Sequence, residues 1–78
     1  MKLEIAIKIL EMSINGVQKS EVYRVLGFSF DTARKYIRIL STAKLLREHK
    51  TDNKRIKVYY ITENGLRFIE LLEKIKWS

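Results

Sequence analysis

Apolar residues recur at helical spacing in the middle of the chain. In residues 31–40, DTARKYIRIL, the side chains of Ala33, Ile37 and Leu40 fall on one face of a helix. The opposite face carries three cations: Arg34, Lys35 and Arg38. A solvated helix usually mixes charges of both signs, so this basic face raises the question of what it binds.

The first segment, residues 2–13, fits both a helix and a strand. The apolar residues of one helical face are Leu3, Ala6, Ile7 and Leu10, and the alternating, strand-like set is Leu3, Ile5, Ile7 and Ile9. We favour the helix because Glu4 and Lys8 stand at the favourable i, i+4 spacing and because Asn15-Gly16 is typical of a helix end.

Capping residues divide the chain before the basic helix. Residues 19–26 predict a short helix with Gln18 at its cap, and Gly27 ends it. Ser29 is a favourable cap for a third helix over residues 30–43. Two helices joined by so short a turn are typical of a helix-turn-helix.

The hydrophobic period changes after the third helix. Residues 45–50 and 55–61 alternate as strands do, and Thr51-Asp52-Asn53-Lys54 between them suits a tight hairpin turn. Thr62 is a suitable cap for a last helix over residues 63–77. The pattern therefore predicts a mainly α fold with one β-hairpin, in the order helix, helix, helix, strand, strand, helix.

Composition excludes several classes of function. A chain of 78 residues has room for one domain, which we place at residues 1–78, and it holds no cysteine and a single histidine, His49. We expect no metal site, no cofactor and no small-molecule effector. The chain has no glycine-rich phosphate loop, no nucleophile with a titratable partner and no paired carboxylates on one helical face, so we expect no catalytic residues and no enzyme.

No segment approaches the length of a membrane span, and Glu4 and Lys8 interrupt the first apolar run, unlike the apolar core of a signal peptide. We therefore expect a cytoplasmic protein without a membrane partner.

The net charge is concentrated in one part of the chain. The 16 Lys and Arg residues exceed the 9 Asp and Glu residues by seven, and the pI is about 9.9. Six of these seven charges fall between Ser29 and Lys57, where nine cations face three acids. A concentrated basic excess of this kind indicates a polyphosphate partner.

Two strings, TARKYIRILSTAKLL and VYYITENGLRFIELL, together with the order of elements, resemble the winged helix-turn-helix DNA-binding proteins. The resemblance is strongest to a small archaeal and archaeal-virus subgroup of transcription-regulator or chromatin-type proteins. In such proteins the helix after the turn enters the major groove of DNA, and the basic hairpin, or wing, lies along the backbone. The resemblance therefore implies that the partner is double-stranded DNA and that the protein is associated with the nucleoid.

The resemblance also implies which residues meet DNA. The residues toward the groove are Thr32, Arg34, Lys35 and Arg38, and those of the wing are Lys50, Lys54 and Arg55. The chemistry of nearby residues extends this set. Ser29 can donate to phosphates or bases, and Asp31 can accept from cytosine. Lys19 and Ser20 stand at the start of the second helix, whose positive end attracts phosphate.

Some positions keep two interpretations. Tyr36 either packs beside the apolar face or reaches the DNA backbone with its hydroxyl. The wing cations either contact phosphate or discourage pairing with another chain. Lys44 stands where such proteins commonly have glycine, so it is either strained by about 1 kcal/mol in a left-handed conformation or the helix ends differently.

The two terminal helices carry more apolar residues than one small core needs. We interpret the surplus as the interface of a homodimer that brings two recognition helices to a roughly two-fold DNA site. The alternative is that the small core uses every apolar residue. The predicted interface residues are Ile5, Ile9, Met12, Phe68, Leu71, Leu72 and Ile75.

These observations predict a DNA-binding transcriptional regulator that reads the major groove with residues 30–43 and grips the backbone with residues 50–57. Two alternatives stay open. Winged helices also serve as protein-docking modules, and high charge suits a non-specific nucleoid-packaging protein.

Overall fold

The computed structural model describes the backbone of residues 2–77 and the side chains of residues 2–75. This part of the chain folds into four helices and one two-stranded antiparallel sheet. The elements in chain order are α1 (Leu3–Met12), α2 (Lys19–Leu26), α3 (Phe30–Thr42), β1 (Leu46–Lys50), β2 (Lys57–Ile61) and α4 (Glu63–Trp77). The predicted order of elements is confirmed.

The first segment is a helix, and its core face is rotated from the predicted stripe. Ile9 has no exposed surface, whereas Leu3 is 47% exposed. Ala6, Ile9 and Leu10 follow the i, i+3, i+4 spacing and form the buried stripe of α1. The prediction of Ile9 as a dimer-interface residue is therefore wrong, because a side chain buried within one chain has no surface left for a second.

Local capping explains where α2 and α3 begin and end. The Glu21 side chain accepts a hydrogen bond from the backbone N–H of Gln18 at 3.3 Å, and Gly27 ends α2 in the left-handed conformation with φ of 72°. At the start of α3, the Ser29 hydroxyl oxygen accepts from the N–H of Thr32 at 3.2 Å. These caps fix the short turn between the two helices.

The buried face of α3 contains the predicted residues and also Tyr36. Ala33, Ile37 and Leu40 are buried, and Tyr36 is 8% exposed. The Tyr36 hydroxyl accepts a hydrogen bond from the backbone N–H of Lys2 at 2.9 Å, and its ring stacks on Phe28. The packing interpretation of Tyr36 is confirmed, and its hydroxyl ties α3 to the start of the chain.

The C-terminus of α3 shows that Lys44 occupies a glycine-like position. Lys44 has φ of 63°, and its N–H donates to the carbonyl of Ser41 at 3.0 Å. The next N–H, of Leu45, reaches back to the carbonyl of Leu40 at 2.9 Å, which completes a Schellman motif. The left-handed alternative for Lys44 is confirmed.

A single threonine joins this helix end to α4. The Thr62 hydroxyl donates to the carbonyl oxygen of Lys44 at 2.7 Å and accepts from the N–H of Gly65 at 3.1 Å. Thr62 therefore caps α4 and also fixes the direction in which the chain leaves α3 toward the hairpin.

The second strand of the hairpin is shorter than predicted, because the loop between the strands has its own hydrogen bonds. The Thr51 hydroxyl donates to the carbonyl of Ile56 at 2.9 Å, and the Asn53 side chain accepts from the N–H of Arg55 at 3.0 Å. These bonds take residues 55 and 56, predicted as strand, into the loop.

The middle of β2 is held by a bridge that the sequence pattern did not predict. Val17 and Tyr59 exchange two backbone hydrogen bonds, of 2.9 and 2.8 Å. The preceding Gly16 has φ of 90°, and a Cβ atom there would lie 2.8 Å from the Tyr60 ring. The α1–α2 linker therefore anchors β2, and a larger residue at position 16 would displace it.

The core lies between the helices and the inner face of the hairpin. Its buried apolar residues are Ala6, Ile9, Leu10, Val17, Val22, Ala33, Tyr36, Ile37, Leu40, Leu46 and Tyr59. Within residues 2–77, no helix is both long and apolar enough to cross a membrane.

Candidate nucleic-acid interface

Two adjoining open clefts lie between α3, the start of α2 and the hairpin. The lining of the first includes Lys19, Arg34 and Arg38, and that of the second includes Lys19 and Arg55. Tyr59 also lines both clefts. Because the clefts share two residues, the cations of three elements lie on one side of the molecule. We call this set the basic surface: Lys19, Arg34, Arg38, Arg55 and Lys57.

The contribution of α3 to the basic surface follows from helical spacing. Arg34 and Arg38 are one turn apart, and each follows a residue of the buried stripe, so both side chains leave the core and line the first cleft. The Arg34 guanidinium contacts the Asp31 carboxylate at 3.1 Å, with side-chain exposures of 59% and 84%. Such an exposed pair contributes little stability and leaves Arg34 available to a ligand.

The first turn of α3 holds the other predicted polar groups. The hydroxyls of Ser29 and Thr32 lie 3.0 Å apart, and the Ser29 oxygen is also engaged in the cap. Asp31 is exposed and favourably placed near the positive end of the helix dipole. This turn therefore presents hydroxyl and carboxylate groups beside the cations of α3.

The two faces of the hairpin differ in what they carry. Cross-strand pairs alternate between faces, so Glu48–Tyr59 and Lys50–Lys57 share the face toward the clefts, while His49–Val58 lies on the other. On the cleft side, the Lys19 ammonium lies 5.8 Å from the centre of the Tyr59 ring.

An acid also lies on the cleft side of the hairpin. The Glu48 carboxylate contacts the Lys57 ammonium at 3.0 Å. This hydrogen bond, aided by the nearby charges of Lys57, Lys50 and Lys19, lowers the pKa of Glu48 below its ordinary value. The same contact raises the pKa of Lys57. Burial, the largest cause, together with the charge of Glu48, raises the pKa of Tyr59. Glu48 and Lys57 are therefore both charged near neutral pH.

The outer face of the hairpin is packed differently. The Arg47 guanidinium lies 4.8 Å from the centre of the Tyr60 ring, and the His49 ring meets Tyr60 edge-on at 6.2 Å. His49 is exposed. Among the described residues, no three His, Cys, Asp or Glu side chains come together in a way that could hold a metal ion.

Some of the residues predicted to bind DNA line the clefts and others do not. Those that line them are Lys19, Ser20, Arg34, Arg38 and Arg55. The others are exposed or partly exposed outside the cleft linings: Ser29, Asp31, Thr32, Lys35, Lys50 and Lys54.

The clefts also contain residues that were missing from the predicted set, among them Phe30, Glu48, Lys57 and Tyr59. Alternation in the second strand already put Lys57 and Tyr59 on one face, but the position of this face beside α3 depends on packing between distant elements, which leaves no pattern in the sequence.

A helix-turn-helix followed by a hairpin, with the cations of both on one side, defines the class of winged helix-turn-helix proteins. The family model described as winged helix-turn-helix matches residues 1–77, and the chain belongs to this family. No curated protein matches the chain.

Solved structures with the same fold come from bacteria and an archaeon. The MepR–DNA complex of Staphylococcus aureus is similar with a TM-score of 0.81, 19% identity, and coverage of 96% of this chain and 64% of MepR. The transcriptional regulator BldR of Sulfolobus solfataricus is similar with a TM-score of 0.79, 15% identity, and coverage of 92% and 56%.

A point mutant of Lactococcus lactis ZitR is similar with a TM-score of 0.77, 15% identity, and coverage of 90% of this chain and 49% of ZitR. The chain thus spans about half to two thirds of the length of these proteins.

Proposed function

We propose that the chain is a double-stranded DNA-binding transcriptional regulator whose α3 enters the major groove while the hairpin follows the backbone. The observation that carries this proposal is the basic surface, on which cations of α2, α3 and the hairpin meet around Lys19. A protein-docking module does not need positive charge on both the recognition helix and the hairpin, whereas a groove flanked by two rows of phosphates does.

The proposed contacts divide by position. Arg34 and Arg38 project from α3 and have the planar donors that pair with guanine, and Thr32 and Lys35 accompany them on the same helix. The contacts assigned to phosphate are those of the α2 start and the hairpin: Lys19, Ser20, Lys50, Lys54 and Arg55. Phosphate contacts fix orientation, and base contacts give sequence preference.

The structural neighbours support this proposal independently of the residues of the basic surface. MepR is described in complex with DNA, and BldR is described as a transcriptional regulator. At identities of 19% and 15% these likenesses concern the fold, so the DNA contacts of this chain are argued from its own basic surface.

The proposed regulator is a homodimer formed through α1 and α4. Leu71 and Ile75 are 56% and 61% exposed, and Leu3 and Leu66, on the same two helices, are 47% and 48% exposed. Ile5, Met12, Phe68 and Leu72, on the same two helices, are partly buried. A symmetric contact would cover these apolar side chains and present two α3 helices to a two-fold DNA site.

Selection of bound duplexes from a random pool tests the proposal. The regulator is expected to enrich a site with two-fold symmetry, and Arg34→Ala with Arg38→Ala is expected to abolish the enrichment. The matched control is Lys8→Ala with Arg24→Ala, which removes two exposed cations outside the clefts and is expected to enrich the wild-type site. Binding without any enriched sequence would favour nucleoid packaging, and no duplex binding at low salt would favour the docking module.

A further inference from the structure

Glu48 is an acid inside the basic surface. It lines the same cleft as Lys19, Arg34 and Arg38, and it faces Lys57 across the hairpin at 3.0 Å. Its pKa is lowered by its hydrogen bond with Lys57 and by the charges of nearby lysines, so the carboxylate is ionised at neutral pH. A fixed negative charge therefore lies where the proposed function requires phosphates to approach.

The Glu48 carboxylate is expected to lower the affinity for a phosphate ligand and to have little effect on the stability of the fold. The Glu48 and Lys57 side chains are 36% and 43% exposed, and an ion pair at such exposure contributes little to stability. In contrast, a carboxylate beside an approaching phosphate repels it, because bound DNA displaces the water and salt ions that would screen the two charges. The carboxylate also competes with that phosphate for Lys57.

We propose that Glu48 limits the affinity of the basic surface for the DNA backbone by engaging Lys57 and repelling phosphate. This inference rests on the proposed function. Its consequence is selectivity: the charge weakens sequence-independent binding, while the base contacts assigned to Arg34 and Arg38 are made on α3 and do not need Lys57.

The test measures duplex binding by Glu48→Gln, which keeps the shape of the side chain and removes its charge. We expect its affinity for a random-sequence duplex to be about three- to tenfold higher than wild type at about 50 mM salt, with the gain shrinking toward about 200 mM because it is electrostatic. Glu48→Ala is expected to bind more tightly as well.

Glu70→Gln is the matched control, since Glu70 also forms an exposed ion pair, at 4.0 Å with Lys74, but lies on α4 away from the clefts. It adds the same net charge, and we expect less than about a twofold change. Circular dichroism on heating establishes that each variant is folded.

The outcomes separate this inference from the proposed function. If the wild type binds duplex DNA and Glu48→Gln binds no more tightly than Glu70→Gln, the inference is overturned and the function stands. Weaker binding by Glu48→Gln would also overturn it, because the carboxylate would then contribute a favourable contact, such as one with cytosine. Absence of any duplex binding by the wild type at low salt would overturn both.

Discussion

Lys44 is held in a conformation that suits glycine better than lysine. Its φ of 63° places its Cβ against the following carbonyl, and three surrounding hydrogen bonds, from Lys44, Leu45 and Thr62, keep it there. The chain therefore tolerates local strain at the junction between α3 and the hairpin.

Replacing Lys44 by glycine relieves this strain. We expect Lys44→Gly to raise the free energy of unfolding by about 0.5–1 kcal/mol, or the melting temperature by about 3–6 °C. Thermal unfolding followed by circular dichroism measures it. Lys44→Ala removes the same charge but keeps a Cβ atom, so equal stabilisation by both variants would show that charge and not conformation is responsible.

Gly65 is required for a different reason, which is close packing. A Cβ atom at this position would lie 2.5 Å from the carbonyl oxygen of Leu45 and 2.5 Å from Cγ1 of Ile61. We expect Gly65→Ala to destabilise the fold by about 1–3 kcal/mol, although alanine is the better helix former. Asn64→Ala, at an exposed neighbouring position on α4, is the control, and comparable losses in the two variants would contradict the packing explanation.

At the scale of elements, the ends of helices were more predictable than the placement of the hairpin. Helix boundaries are marked by residues that form local hydrogen bonds or turns: Gln18, Gly27, Ser29 and Thr62. The predicted helix over residues 19–26 agrees with the observed α2, Lys19–Leu26. Local chemistry acts over a few residues and is therefore visible in the sequence.

Features that depend on distant parts of the chain were not predictable in the same way. The rotation of α1 that buries Ile9 and exposes Leu3 is set by packing against other elements, since both residues fit a helical apolar face. The Val17–Tyr59 bridge joins residues far apart in sequence, and the packing that places Glu48 and Tyr59 beside α3 likewise depends on distant parts of the chain.

The hairpin tip and α3 are expected to have separable effects on binding. Lys54→Ala with Arg55→Ala removes two cations proposed to contact phosphate, so we expect affinity to fall to a similar extent for every duplex sequence and the salt slope to shrink by up to about two units. Competition binding with preferred and scrambled duplexes measures both. A changed sequence preference would show that the hairpin reads bases and contradict its assignment to the backbone.

For the whole molecule, the apolar surfaces of α1 and α4 predict self-association. Leu71→Glu places a charge at a side chain that is 56% exposed on α4, and we expect it to raise the dimer dissociation constant by about tenfold or more. Sedimentation velocity across micromolar concentrations measures the shift.

Val25→Glu is the matched control, since Val25 is 64% exposed on α2 and lies outside the proposed interface. It is expected to leave the dimer intact. A wild-type chain that sediments as a monomer at these concentrations would contradict the interface.

Cations of α2, α3 and the hairpin lie on one surface, which is proposed to bind DNA. The most direct test is the dependence of duplex affinity on salt. The four cations assigned to phosphate, Lys19, Lys50, Lys54 and Arg55, predict that log affinity falls against log salt with a slope of about −4 for each bound chain. Lys19→Ala with Arg55→Ala should reduce that magnitude by about two units, whereas a slope near zero, or one unchanged by this pair of substitutions, would contradict the account.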